Sequence, residues 1–333
     1  MKRIVIVTDA WNQLNGVVTT LEKTINELKN KGFDVKIIEP SLFKTFPCPT
    51  YPQILLSWNI WKVGKMIKSM KPDYMHIATE GPLGIAAKLW ADRKKLHYTT
   101  SYHTKYPEYI QTRLGFGLTI GYKIMKWFHK RSCFVLVNTN SMMDLLSSHG
   151  MKRLSIWGRG VDTNLYTLEG NIPEELKNLQ KPIMINVGRV SIEKNLPEFY
   201  NVSLPGTKIQ VGDGPLFEQY KKEYPDVIFV GAKTGTELAE YYRAADVFVF
   251  PSISDTYGVV ILESIASGVP VAAFPVTGPI DIITHDIGNM NSDLNIAIVN
   301  ALKINDKKHL NEWAMKKTWS ACTDQFIACL QPI

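Results

Sequence analysis

Short apolar runs alternate with amphipathic stretches from one end of the chain to the other. Ile4–Thr8 has the pattern of a buried strand. Val17, Leu21, Ile25 and Leu28 then recur at helical spacing until Gly32 closes the helix. Phe33–Ile38, Tyr74–Ala78, Tyr98–Ser101 and Phe134–Asn138 read as further strands with helical patterns between them. In the second half, Ile183–Val187, Lys208–Val211, Val227–Val230, Val247–Phe250 and Val271–Phe274 repeat the arrangement. Strands separated by helices predict parallel sheets made of βαβ units. Two sets of about five or six strands therefore predict an α/β protein with two doubly wound domains. The polar segment Tyr166–Lys181, with Pro173 inside it and Pro182 just beyond, predicts the hinge. Lys307–Leu330 predicts one last helix, too aromatic to be a free tail because it carries Trp313, Trp319 and Phe326.

A length of 333 residues suits two domains. No apolar run reaches the roughly 18 residues of a spanning helix. Met1-Lys2-Arg3 precedes an apolar run that Asp9 ends too early for a signal peptide, so a first strand is expected there. Cys48, Cys133, Cys322 and Cys329 form no CxxC pair and no metal spacing, which predicts reduced thiols in a cytoplasmic protein. Charge changes the picture more. Residues 1–165 carry 24 Lys/Arg against 11 Asp/Glu, a net +13, and residues 166–333 carry 14 against 20, a net −6. That asymmetry points to an anionic partner for the first half, with a membrane surface and nucleic acid as the two classes and a merely solvated face as the alternative.

The segment Asp255-Thr256-Tyr257-Gly258-Val259-Val260-Ile261-Leu262-Glu263 follows an apolar strand pattern. A strand ends, a loop with a glycine follows, and a helix begins that carries a carboxylate. Ligands of open α/β folds bind at such turns, and helix-start amides favour anionic or hydroxyl-rich groups. Asp255 and Glu263 could accept from two parts of one polyol, as in a sugar joined to a nucleotide. A capping Asp followed by an exposed helical Glu is the ordinary alternative.

Gly188-Arg189 and Glu193-Lys194-Asn195 follow the first strand of the second half. A diphosphate needs paired cationic donors, and Arg supplies a planar fork where Lys supplies a point charge. Gly212-Asp213-Gly214-Pro215 and Gly231-Ala232-Lys233 end the next two strands and could be plain turns. In the first half, Gly16 opens a helix after Thr8-Asp9-Ala10-Trp11, a turn without GxGxxG, so the dinucleotide fingerprint is absent although Glu39 ends the second strand. His103 ends another strand and is either a crevice residue or a satisfied structural histidine; His76, inside a strand pattern, reads as buried. Two segments combine lysines with aromatics: Trp58–Lys71, with Trp61 and Lys62, Lys65, Lys68, and Gly115–Arg131, with Trp127 and Lys123, Lys126, Lys130. Such helices lie on membrane surfaces or are amphipathic core helices with a solvated basic face.

Seven strings, each at a strand end, resemble the retaining glycosyltransferases of family 4 over nearly the whole chain. They are Thr8-Asp9-Ala10-Trp11 with Asn15-Gly16-Val17-Val18, His76 through Pro82, Ser101-Tyr102-His103-Thr104, Gly158 through Asp162, Val187-Gly188-Arg189 with Glu193-Lys194-Asn195, Val211 through Pro215, and Asp255 through Glu263. The resemblance implies the GT-B fold: two Rossmann-like domains facing a cleft, with an acceptor domain at 1–165, a donor domain at 175–306 and a C-terminal helix, 307–333, crossing back to the first. It implies that Glu263 holds the donor ribose and that Asp255 meets the transferred sugar beside amides at Tyr257, Gly258 and Val259. Arg189 and Lys194 then bind the diphosphate with amides at Asn15 and Gly16, the backbone at Ala232 contacts the base, and His103 lies beside the donor sugar. Asp255 stands where the family commonly has Glu, one methylene longer, and Asn15-Gly16 stands where many members have Gly-Gly.

Within the family the strings are most similar to glycolipid-forming enzymes. This implies a UDP-glucose-type donor, with GDP-mannose as the other choice, and a lipid acceptor such as diacylglycerol. It also implies peripheral attachment to the inner face of a membrane, and no cofactor or metal. A transferase acting on soluble polysaccharide, an epimerase on the same fold and a non-catalytic binding protein are the rivals. Nucleic acid has no motif beyond charge.

Overall fold

In the computed structural model, residues 1–11, 16–48, 51–108, 111, 115, 117–255 and 257–333 are described, with the backbone alone for 48 and 51–54. The chain divides into two units, Met1–Gly158 with Trp319–Ile333, and Arg159–Thr318.

The alternating apolar residues of Arg3–Val7 (β1) explain the first unit. Val5 and Val7 face one core, with Val63, Ile67, Leu83, Ala87 and Phe128. Ile4 and Ile6 face the other, with Leu21, Ile25, Trp157 and Phe326. A strand buried on both faces belongs in the middle of a parallel sheet. The remaining strands are Asp34–Ile38 (β2), Thr45–Cys48 (β3), Tyr51–Ser57 (β4), Tyr74–Ile77 (β5), Thr99–Ser101 (β6), Val135–Val137 (β7) and Leu154–Ile156 (β8). The order is β2-β1-β5-β6-β7-β8, parallel throughout, and β3-β4 is a separate antiparallel hairpin. The helices Val63–Met70, Pro82–Lys94 and Leu118–His129 share one face of this sheet. Gly16–Asn30 and Trp319–Cys329 cover the other. Phe326 from the last helix is fully buried, edge-on to His76 at 4.8 Å. Burying such a ring is worth about 1.5–3 kcal/mol.

The second unit repeats the plan with Ile183–Val187 (β9), Thr207–Val211 (β10), Val227–Phe229 (β11), Val247–Phe250 (β12), Val271–Ala273 (β13) and Gly288–Met290 (β14). Its order is β11-β10-β9-β12-β13-β14, again parallel. In each sheet the order reverses at one place, between β1 and β5 and between β9 and β12. Open α/β sheets bind ligands outside the strand ends at such reversals.

Three expectations need correction. The run 307–330 is two helices, Lys307–Ala314 and Trp319–Cys329. The chain between them is drawn into an extended bridge, Val161 with Thr318, where the Lys317 carbonyl accepts from the Val161 N–H. Leu310 and Ala314 therefore pack in the second unit's core, so only the later helix lies on the first unit. The boundary expected at 165 falls at 158, because Val161 and Tyr166 are core residues of the second unit, and Leu176 inside the expected hinge is another. Finally β8, β14 and the hairpin add strands that the apolar pattern did not mark; β8 is half-buried along its whole length.

Candidate functional site

At the reversal of the second sheet, the loops after β9 and β12 are tied together. Asn195 donates from Nδ2 to the Pro251 carbonyl at 3.2 Å, and the Ser254 hydroxyl donates to the Glu193 carbonyl at 2.9 Å. Between these ties the Lys194 ammonium donates to both oxygens of Asp255, at 2.7 and 2.8 Å. Arg189, half-buried one residue from Gly188, makes no hydrogen bond or ion pair among the described residues. The neighbouring turn is fixed by contact. A Cβ on Gly212 would stand 1.9 Å from the Gly188 carbonyl oxygen, and its φ of +132° suits glycine alone.

The helix Val259–Ala266 starts from Gly258, whose φ is +88°. A Cβ there would press on the Phe250 ring at 2.9 Å, so glycine lets the loop lie flat on the end of β12. Tyr257 packs against the core beside it. One turn into the helix, the Glu263 carboxylate accepts from the Tyr242 hydroxyl at 3.1 Å, and the Tyr166 hydroxyl also bonds to it. Burial, with that carboxylate alongside, pushes both phenols well above their usual range. The two rings meet edge to face at 5.7 Å. Ala232, after β11, is exposed.

In the first unit Gly16 begins the helix Gly16–Asn30, and a Cβ there would meet nothing within 4 Å. Asn15 lies outside the described residues, as does Thr256. At the β1/β5 reversal, Asp9 accepts from the backbone of Leu83 at 2.8 Å and Gly84 at 3.2 Å and from the Thr79 hydroxyl at 3.0 Å. It thereby caps the helix Pro82–Lys94. Burial outweighs these bonds and pushes its carboxyl up to about 6. Glu39 caps the short turn Pro40–Leu42 through Ser41.

His103 is buried, edge-on to Trp157 at 5.5 Å, with Nε2 2.9 Å from the Ser101 hydroxyl. His76 is buried too, but as a polar node. Its ring nitrogens meet the hydroxyls of Thr99 at 2.9 Å and Ser101 at 3.2 Å, and burial lowers its pKa to about 3. On the opposite face, His129 bridges Thr100 at 2.8 Å and Glu80 at 3.3 Å.

Each unit therefore gathers its own share of the residues singled out from sequence. The second unit brings together Arg189, Lys194, Asp255, Tyr257, Gly258, Val259 and Glu263 around one strand reversal. Gly16 and His103 belong to the first. Sequence reasoning missed Tyr166, Tyr242, Asp9 as a buried cap, and Ser101 as the partner of His103. The period-two spacing of Thr99, Ser101 and His103 was the available signal for the last. Among the described residues, no group of three or more His, Cys, Asp or Glu is placed to hold a metal ion, and no helix is long and apolar enough to cross a membrane.

Two family models match the chain: Glycosyltransferase Family 4 over residues 14–165 and Glycosyl transferases group 1 over residues 181–303. A sulfoquinovosyl transferase of Arabidopsis thaliana is 32% identical over 73% of this chain, which spans about half (51%) of that relative's length. A GDP-mannose-dependent alpha-mannosyltransferase of Mycobacterium tuberculosis is 27% identical, covering 85% of this chain and 81% of its own. An alpha-monoglucosyldiacylglycerol synthase of Streptococcus pneumoniae is 27% identical, covering 81% and 70%. Among solved structures, sucrose-phosphate synthase from Thermosynechococcus elongatus superposes with a TM-score of 0.79 at 19% identity over 98% of both chains, a likeness of fold.

Proposed function

The chain belongs to the family 4 glycosyltransferases, and we propose that it moves a hexose from a nucleoside diphosphate sugar to a lipid hydroxyl, with retention at the anomeric carbon. The observation that carries this reading is the joining of Lys194, Asp255 and the Gly258–Val259 helix start at the strand reversal of the second unit. In this reading Glu263 accepts from the donor's ribose, the backbone near Ala232 meets the base, and Asp255 meets the sugar. Arg189 and Lys194 take the diphosphate, with the amides at Gly16. His103 is assigned to the transferred sugar.

The bond from the anomeric carbon to the diphosphate breaks, and its electron pair leaves with the diphosphate. The acceptor oxygen bonds to the same carbon from the same face and passes its proton to a diphosphate oxygen. The cations stabilise charge where it develops, which is the largest contribution in most such sites. They also make a divalent ion dispensable in this proposal.

The lipid acceptor is supported by the diacylglycerol named for the streptococcal relative and by the first unit's surface. Lys62, Lys65, Lys123 and Lys126 are exposed there together with Trp61, Ile120, Ile124 and Trp127. UDP-glucose is the donor we favour, and GDP-mannose is the second reading, favoured by the mycobacterial relative. The test incubates the protein with each donor and diacylglycerol in anionic vesicles, with and without EDTA. An α-linked glycolipid formed in EDTA is expected. A β-linked product, complete loss in chelator, or release of an epimerised nucleotide sugar without transfer would each remove part of the proposal.

A further inference from the structure

The helix Pro82–Lys94 follows β5, the strand at which the order of the first sheet reverses. Its first turn is where an open α/β sheet would offer amides to an anion. Here every amide inside that turn is taken. Pro82 has no N–H, Leu83 donates to Asp9 Oδ1 at 2.8 Å, and Gly84 donates to Asp9 Oδ2 at 3.2 Å. Ile85 already donates within the helix, to the Gly81 carbonyl at 2.9 Å. The carboxylate is locked in its turn. The Thr79 hydroxyl donates to Oδ2 at 3.0 Å and accepts from the Asp9 N–H at 2.6 Å. A Cβ on Gly81 would stand 2.4 Å from the Asp9 carboxyl carbon, so glycine lets the carboxylate lie against the helix start. Glu80, buried beside it, adds a second carboxylate.

The second unit treats the same place differently. After β12, its strand at the reversal, the helix Val259–Ala266 starts at Gly258 with no side-chain cap among the described residues. The proposed function gives that helix start to the anionic donor. The first unit fills its own with a fixed carboxylate, although residues 1–165 carry a net +13 and would otherwise draw anions. We propose that Asp9 is a specificity residue: it closes the acceptor crevice of the first unit to a phosphate, so that the lipid presenting its hydroxyl there is uncharged, of the diacylglycerol kind, and not a phospholipid. A phosphate arriving at this helix start finds no amide to bond and a like charge to face. A hydroxyl has no charge to repel and brings its own proton to any oxygen it meets. That the acceptor is a lipid rests on the proposed function; the closure to phosphate does not.

Two measurements test this, and the first needs no turnover. The full chain is labelled with ¹³C at leucine carbonyls and ¹⁵N at glycine, which selects the Leu83–Gly84 amide; Leu114–Gly115 is the other such pair in the sequence and serves as the internal control. Inorganic phosphate is then titrated in above neutral pH. The Gly84 amide signal should stay in place in the unaltered protein and move in Asp9→Ala, where the Leu83 and Gly84 amides are released. A shift in the unaltered protein, or none in Asp9→Ala, would overturn the inference. The second measurement reads transfer to diacylglycerol and to phosphatidylglycerol, which offers a glycerol hydroxyl behind a phosphodiester, both in neutral detergent micelles. The unaltered protein should favour diacylglycerol in kcat/KM at least about tenfold, the effect of one like charge a few ångströms away. Asp9→Asn, which keeps an oxygen on the Leu83 amide and drops the charge, should cut that preference several-fold. Glu39→Gln, which removes a carboxylate at the end of neighbouring β2, should leave the preference as it is. A preference that Asp9→Asn leaves unmoved, or one for phosphatidylglycerol in the unaltered protein, would count against Asp9 as the specificity residue. Transfer to neither lipid would remove the acceptor class of the proposed function, and the phosphate titration would still decide whether the crevice is closed.

Discussion

Asp255 grips the Lys194 ammonium with both carboxylate oxygens, at 2.7 and 2.8 Å. Both side chains are mostly buried, 26% and 20% exposed, so water screens the pair only in part. The family resemblance implies different portions of a donor for these two residues, the sugar and the diphosphate. In the structure the two side chains pair with one another. A carboxylate one methylene shorter than the family's common Glu still reaches the ammonium across the two loops.

From that pairing follows a split between binding and transfer. If Lys194 takes the donor diphosphate as proposed, that diphosphate competes with Asp255 for it. Asp255→Asn removes the competing charge, so titration calorimetry should find the free nucleoside diphosphate bound several-fold more tightly while sugar transfer falls. Lys194→Ala should lower turnover by about 10²–10³, the usual cost of one donor to a developing anion. Weaker nucleotide binding in Asp255→Asn, or near-normal turnover in Lys194→Ala, would contradict the placement.

Tyr242 and Tyr166 hold the Glu263 carboxylate from inside the core. If Glu263 meets the donor ribose, these hydroxyls set its orientation. Tyr242→Phe removes one bond worth about 0.5–1.5 kcal/mol. The donor KM should rise by a few-fold to about tenfold with kcat nearly constant. Glu263→Ala should raise KM further. A Tyr242→Phe variant that lowers kcat alone would place the tyrosine elsewhere in the chemistry.

The residues legible in the sequence were those that sit at strand ends in contiguous strings, such as Gly188-Arg189 and Asp255 through Glu263. A strand end is a local event, marked where an apolar run gives way to Gly, Asp or Lys. The fold class was legible for the same reason, since twelve parallel strands in two sheets repeat one local grammar. What escaped depends on distant partners. His76 becomes a polar node only because sheet register sets it against Thr99. Tyr242 reaches Glu263 only through the way two helices pack on β12. The break after Ala314 arises from a bridge to Val161, and nothing in the local sequence Met315-Lys316-Lys317 marks it.

Two buried groups in the first unit make opposite demands on pH. Asp9 titrates near 6 in the folded chain against 3.8 when free, so the folded state holds its proton longer, and this stabilisation is lost as pH rises from about 4 to 6. His76 titrates near 3 against 6.5, so its contribution is present above 6.5 and lost as pH falls toward 3. At 1.36 kcal/mol per unit, the shifts correspond to about 3 and about 5 kcal/mol. Their slopes cancel between roughly pH 4 and 6. Urea unfolding across that window checks this. Relative to the unaltered protein, Asp9→Asn should become more stable as pH rises, and His76→Gln should become less so. Parallel pH curves for all three proteins would count against both assignments.

The helix Leu118–His129 buries Tyr122, Met125 and Phe128 and turns Lys123, Lys126 and the apolar side chains of Leu118, Ile120, Ile124 and Trp127 outward. Ile120 is 62% exposed, Ile124 50% and Trp127 45%. Trp127 is braced from beneath by the Lys88 ammonium, 4.4 Å from its ring centre. On the same face of the sheet, Trp61 stands 67% exposed beside Lys62 and Lys65. Large apolar side chains left outward among lysines make poor solvated surface and a good surface for an anionic bilayer. Each lysine near such a bilayer contributes about 1 kcal/mol, so four well-placed ones give firm but reversible attachment. Vesicle co-sedimentation should show binding to anionic and not zwitterionic lipid, weakening with salt because the field decays over about 8 Å at physiological ionic strength. Charge reversal at Lys123 and Lys126 should release the protein as strongly as reversal at Lys62 and Lys65, because both pairs flank exposed aromatics on one face. If only one pair matters, one helix makes the contact. If the protein ignores anionic vesicles even at low salt, the basic surface serves a soluble acceptor, and a growing polysaccharide becomes the substrate to try.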